Sequence, residues 1–158
     1  MSTRENPWLD EHQQRVWRQW LLAHDRLNAA LSQQLSLNSD LSLPDFGVLV
    51  ALSEAAGHRL RSAELATTLG WERSRLSHHL GRMEKRGLIL REQSPSDGRG
   101  AYAVITDEGM RQIVEVAPGH ANTVKELMFM PLSPEDLDTL DRLTSGVLAR
   151  VAEVSDEA

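Results

Sequence analysis

The side chains that could do chemistry cluster between residues 73 and 82: Arg73, Ser74, Arg75, Ser77, His78, His79 and Arg82. Each can donate a hydrogen bond, and the arginines carry a permanent positive charge. On a helix these residues share the outer surface, because Leu76, Leu80 and Met83 recur at steps of four and three and claim the opposite side. A helix with an apolar back and a cationic, hydrogen-bonding front fits the major groove of double-stranded DNA and reaches base edges. Base contacts are expected from Arg73, Ser74, Arg75, Ser77 and His78, and phosphate contacts from Arg61, Ser62 and Arg82. The competing reading of any one of them is a solvated surface side chain, and His79 is the weakest member because it could turn back toward the domain.

Such a helix needs neighbours that aim it. Arg61 to Leu69 reads as a shorter helix ahead of it, with Ala66 small enough for a steep crossing and Gly70 suited to the left-handed backbone of a sharp reversal. The second helix is expected over about Glu72 to Arg86, ended by Gly87. This is a helix-turn-helix pattern. Leu88 to Glu92 and Ala101 to Ile105 then read as two short strands of a β-hairpin, joined by a turn containing Pro95 and Asp97-Gly98. Arg99 at the hairpin tip fits the minor groove, where a narrow A·T-rich stretch concentrates negative potential. Asp97 would hold the Arg99 guanidinium or cap the turn.

The run ELATTLGW…SRLSHHLGRMEKRGLI…SPSDGRGAYAVITDEG resembles the MarR family of winged helix-turn-helix transcription regulators, from about Trp8 to Val154. Its most specific pieces are Asp97-Gly98-Arg99, then Thr106 and Gly109 opening the next helix. The resemblance implies a mainly α fold of six helices with a small β-hairpin wing. It also implies a homodimer interlocked through its terminal helices, and supports the roles given to Asp97 and Arg99. Family members commonly bind small aromatic or anionic effectors in a crevice between the dimer helices and the DNA-reading lobe. Trp20, His24 and Phe46 are the candidates here, although the tryptophans could be core and His24 a satisfied imidazole in an apolar stripe.

A two-fold dimer would set two recognition helices about 34 Å apart, one turn of DNA, and read a pseudo-palindrome. The charge distribution agrees. The chain carries a net −6, yet residues 58–100 hold 9 Lys plus Arg against 5 Asp plus Glu, leaving 8 against 18 elsewhere. One pole is basic and the rest acidic, as presenting a single face to phosphate requires.

The rest of the chain reads as supports. Trp17, Trp20, His24, Leu27 and Leu31 make a helical stripe within a first helix from Trp8 to about Leu35. Its three tryptophans are too much apolar area to leave in water. Ser42 reads as an N-cap with Pro44 and Asp45 in the first turn, opening a helix to about Ala55. Thr106 caps a helix to about Met128, in which Pro118 predicts a kink or break. A last helix after Ser133 carries Leu137, Leu140, Thr144, Val147, Val151 and Val154 as a long seam. The expected division is an arm and dimerisation helix over 1–36, the DNA-binding lobe over 42–106, and dimerisation helices over 107–158.

Other chemistry finds little support. Residue patterns for nucleotide, hydrolase or zinc-peptidase sites are missing, and Ser77-His78-His79 is adjacency on a helix rather than a nucleophile beside its base, so no enzyme and no cofactor are expected. With no cysteine and six scattered histidines, disulfides and thiol-based sensing are excluded and a metal site is not expected. No run of about 18 apolar residues is present. With a polar N-terminus this leads to a cytoplasmic expectation without membrane contact. The alternatives to a ligand-released DNA-binding repressor are a winged-helix protein-interaction module and a metal-responsive regulator without an organic inducer.

Overall fold

The computed structural model describes residues 8–93 and 100–156. It contains helices α1 (Glu11–Asn38), α2 (Leu43–Glu54), α3 (Ser62–Leu69), α4 (Arg73–Lys85), α5 (Asp107–Val124) and α6 (Pro134–Asp156), with strands β1 (Arg59–Arg61), β2 (Ile89–Gln93) and β3 (Ala101–Ile105). The chain divides into two compact units, one ending at His120 and one starting at Ala121.

In the first unit, local chemistry sets where most elements start and stop. Asp10 caps α1, accepting from the Gln13 N–H at 2.8 Å while Gln13 returns a bond to the Asp10 N–H. This helix starts and ends about three residues later than its apolar pattern suggested. Ser42 and Asp45 exchange the same pair of bonds at the start of α2. Gly70 ends α3 at φ 64° and ψ 34°, and the Trp71 N–H folds back to the Ala66 carbonyl at 2.9 Å.

The sheet differs from expectation by a strand. It is antiparallel in the order β1-β3-β2, and Arg61 pairs with Tyr102 as the end of β1 instead of opening α3. Three residues give no period to read, and β1 exists because β3 offers it an edge. Ala103 and Ile105 face the core as the alternation required. That core joins Leu35 of α1, Val48, Leu49 and Leu52 of α2, Leu65 and Ala66 of α3, and Leu76, Leu80 and Met83 of α4 to Leu88, Ile89 and the first turns of α5. Fully burying each large side chain contributes about 1.5–3 kcal/mol, which is what fixes α4 on its support.

Pro118 does not interrupt α5, which stays helical to Val124. The proline removes one donor to the Val114 carbonyl. Val114 is 65% exposed, so water can take that place. Irregularity comes later, as a wide π-type turn over Lys125–Phe129. In the second unit, Ser133 and Asp136 cap α6, and Leu137, Val147, Val151 and Val154 along it are all exposed. On α1 only Leu31 and Leu35 are buried, while Trp17 and Trp20 are half exposed.

Candidate nucleic-acid interface

Helix α4 presents the expected face. Arg73, Ser74, Arg75, Ser77, His78 and Arg82 are exposed, while Leu76, Leu80 and Met83 are buried on its other side. A feature beyond composition sets these arginines apart. Arg59, Arg86 and Arg91 in the same unit pair with Glu92, Asp45 and Glu84 at 3.3, 2.7 and 2.8 Å. Among the described residues, Arg73, Arg75 and Arg82 have no carboxylate partner. The arginines that brace the fold are neutralised, and those facing outward keep their charge available to an anion.

Two of the outward arginines are held by uncharged groups. The Arg75 guanidinium lies 4.4 Å from the centroid of the Trp71 ring, a cation–π contact from the turn between α3 and α4. Arg82 donates to His78 Nδ1 at 2.6 Å and to His79 Nδ1 at 2.7 Å. A guanidinium can only donate, so both imidazoles are neutral in this arrangement and carry their proton on Nε2.

His79 is buried: it turns back toward the domain, the alternative its place in the sequence left open. Its ring stands edge-on to Trp71, with centroids 5.3 Å apart. Its Nε2 lies 2.9 Å from Asp45 Oδ1, though without the alignment of a full hydrogen bond. Burial lowers the His79 pKa below the ordinary imidazole value; Asp45 opposes this and the charge of Arg82 reinforces it. Asp45 is itself buried. That burial raises its carboxyl pKa, but the hydrogen bonds from Arg86 and Ser42 outweigh it and leave the pKa below the usual value. Asp45 thus joins the cap of α2 to both the middle and the end of α4. Its signal in the sequence was only the capping spacing to Ser42; the reach to His79 and Arg86 crosses 34 and 41 positions and has no local signature.

The flanking candidates are placed as follows. Arg61 is half-buried at the end of β1, 5.1 Å from the Tyr102 ring centroid, which also carries Arg59 at 4.1 Å. The Ser62 hydroxyl donates to the Ala101 carbonyl at 3.0 Å, tying the start of α3 to β3. Glu84 accepts from the Arg91 backbone and side chain, which fastens β2 to α4. Asp97 and Arg99 lie outside the described residues. Trp20 and His24 are exposed on α1, His24 within 3.0 Å of the Asn28 amide. Phe46 is half-buried and stacks on His120 with centroids 4.1 Å apart. Among the described residues no group of three or more His, Asp or Glu could hold a metal, and no helix is long and apolar enough to cross a membrane.

Comparison with known proteins agrees with this architecture. The family model described as MarR family matches residues 39–100, the span from just before α2 to the start of β3. Two Streptomyces coelicolor structures superpose over most of the chain. AbsC, a MarR family transcriptional regulator, is 36% identical with a TM-score of 0.88, covering 94% of this chain and 99% of its own. Sco3205, a MarR family transcriptional regulator in complex with DNA, is 38% identical with a TM-score of 0.87, covering 92% and 91%. The Escherichia coli transcriptional repressor MprA is 29% identical over 112 residues, 71% of this chain but only 63% of the repressor's length. With a six-helix winged fold and a near full-length relative above a third identity, this chain belongs to the MarR family of transcriptional regulators.

Proposed function

We propose that this chain is a sequence-specific repressor that binds double-stranded DNA as a homodimer, with α4 in the major groove and Arg99 in the minor groove. The observation that carries this reading is the uncompensated charge of Arg73, Arg75 and Arg82 on a helix whose other side is locked into the core. The relative solved with DNA supports it. Residues 42–106 form the reading lobe, and residues 1–36 and 107–158 supply the dimer contacts. Exposed Trp17 and Trp20 on α1 and Val147, Val151 and Val154 on α6 favour that arrangement, since such apolar stripes are costly to leave in water. The dimer reads a pseudo-palindrome and acts in the cytoplasm.

Release by a small aromatic or anionic effector is the second part of the proposal. It is favoured by Phe46 and His120, stacked at the edge of α2 and α5, and by two buried polar atoms, Gln34 Oε1 and His120 Nδ1, without hydrogen-bond partners among the described residues. Buried orphans of this kind suit a polar ligand or water. The test is selection of bound duplexes from a random pool with the full chain. A half-site repeated with two-fold symmetry is expected; a pool that shows no enrichment overturns the reading.

A further inference from the structure

We propose that Asp45 and His79 are positioning residues for DNA binding: through the fixed tautomer of His79, and with His78 as a second acceptor, they hold the Arg82 guanidinium ready for a phosphate. This rests on the DNA-binding reading above and assigns residues to it that make no contact with DNA themselves.

A long arginine on an exposed helix ordinarily samples many rotamers, and freezing it on binding costs affinity. Arg82 is already frozen by bonds of 2.6 and 2.7 Å to two imidazoles. A carboxylate would hold it equally well, but would also cancel the charge that a phosphate needs. Neutral imidazoles hold it without that loss. They can do so only with Nδ1 unprotonated, and the tautomer of a histidine is set by what faces its other nitrogen. For His79 that group is Asp45, whose Oδ1 stands 2.9 Å from Nε2 and favours the proton there. Asp45 is itself fixed, because its second oxygen accepts from Arg86 at 2.7 Å and from the Ser42 N–H at 2.9 Å. The start of α2 therefore reaches the DNA-facing surface of α4 through a single buried ring. The Trp71 ring stands perpendicular to it on one side, and among the described residues the charges acting on it are those of Asp45, Arg82 and Arg75.

The experiment is a double-mutant cycle read by DNA affinity, using the full chain and the duplex recovered from the random-pool selection. His79→Leu keeps the buried volume and removes the acceptor. It is expected to weaken binding by between about two-fold and ten-fold, the range for releasing one immobilised side chain. The salt dependence should stay as in the wild type, since Arg82 still reaches its phosphate. Arg82→Ala is expected to weaken binding and also to reduce the logarithmic salt slope by about one. In the Arg82→Ala background, His79→Leu should cost nothing further; equal losses in both backgrounds mean a merely structural role and overturn the proposal. Nitrogen NMR of the wild-type rings gives a check independent of any variant's folding. Nε2–H tautomers are expected for His78 and His79 at neutral pH, and an Nδ1–H form of His79 overturns the proposal. A selection that enriches no duplex removes the DNA-binding reading and this inference together, whereas an enriched duplex with additive losses removes the inference alone.

Discussion

Gly109 lies so close to the Leu88 carbonyl oxygen that no side chain fits between them. A Cβ at this position would run into that backbone atom and also press on Ile105 and Leu49. The approach is fixed by Thr106: its hydroxyl accepts from the Gly109 N–H at 3.0 Å and donates to the Gly87 carbonyl at 2.7 Å, and its backbone N–H donates to the Leu88 carbonyl at 3.1 Å. The threonine that caps α5 thus also seats that helix on the turn between α4 and β2. Gly109→Ala is expected to lower stability by at least about 1–3 kcal/mol, as overpacking against backbone does. Urea denaturation measures it, and an unchanged midpoint would show that the helix can move away without cost.

Asp45→Ala leaves His79 and Arg86 without their shared carboxylate and removes half of the α2 capping pair. Arg86 is partly exposed and can turn to water, so the cost comes mainly from the lost cap and hydrogen bonds and is on the order of 1–3 kcal/mol. The same denaturation experiment should therefore show Asp45→Ala far more damaging than Asp40→Ala, since Asp40 offers Arg86 only its backbone carbonyl.

Stability should fall in two stages as pH drops. His79 and His120 both have pKa values held below the ordinary 6.5 by burial. Between the folded and unfolded values the unfolded chain binds more protons, so their contribution is complete above about 6.5 and is lost as pH falls through the folded values. Asp45 is also lowered, from 3.8, so its contribution is present above that value and is lost at more acid pH. Thermal melts across pH should show the first decline reduced in His79→Leu and the second reduced in Asp45→Asn. A flat profile down to pH of about 4 would contradict both histidine assignments.

DNA affinity should fall steeply with salt, because several phosphate contacts release counterions together. Arg73→Ala should relax the preference at individual base pairs, each good bidentate contact being worth about 1–3 kcal/mol. Arg99→Ala should weaken binding strongly while leaving the melting temperature unchanged. A gel-shift series at two salt concentrations tests all three, and undiminished affinity in Arg99→Ala would dispose of the minor-groove contact.

What could be read in advance was what neighbours in sequence decide. The Ser42 cap, the Gly70 reversal and the Leu76, Leu80 and Met83 stripe each depend on residues within a turn or two, and they stand where expected. The misses depend on distant partners. β1 needed the open edge of β3, and its arginines resembled the start of a helix. That His79 could turn inward was legible, but the carboxylate on another helix that it meets there was not. Pro118 does not break its helix, because the bond it removes belongs to an exposed carbonyl.

The ring contact between Trp71 and His79 gives this lobe an optical reporter of its own. A protonated imidazole quenches the emission of an adjacent indole far more than a neutral one. The other three tryptophans, Trp8, Trp17 and Trp20, all precede residue 21, and phenylalanine at those positions would keep an aromatic ring while removing their emission. The remaining fluorescence would then follow the protonation of His79 directly, and would register any ligand or duplex that disturbs it without a label.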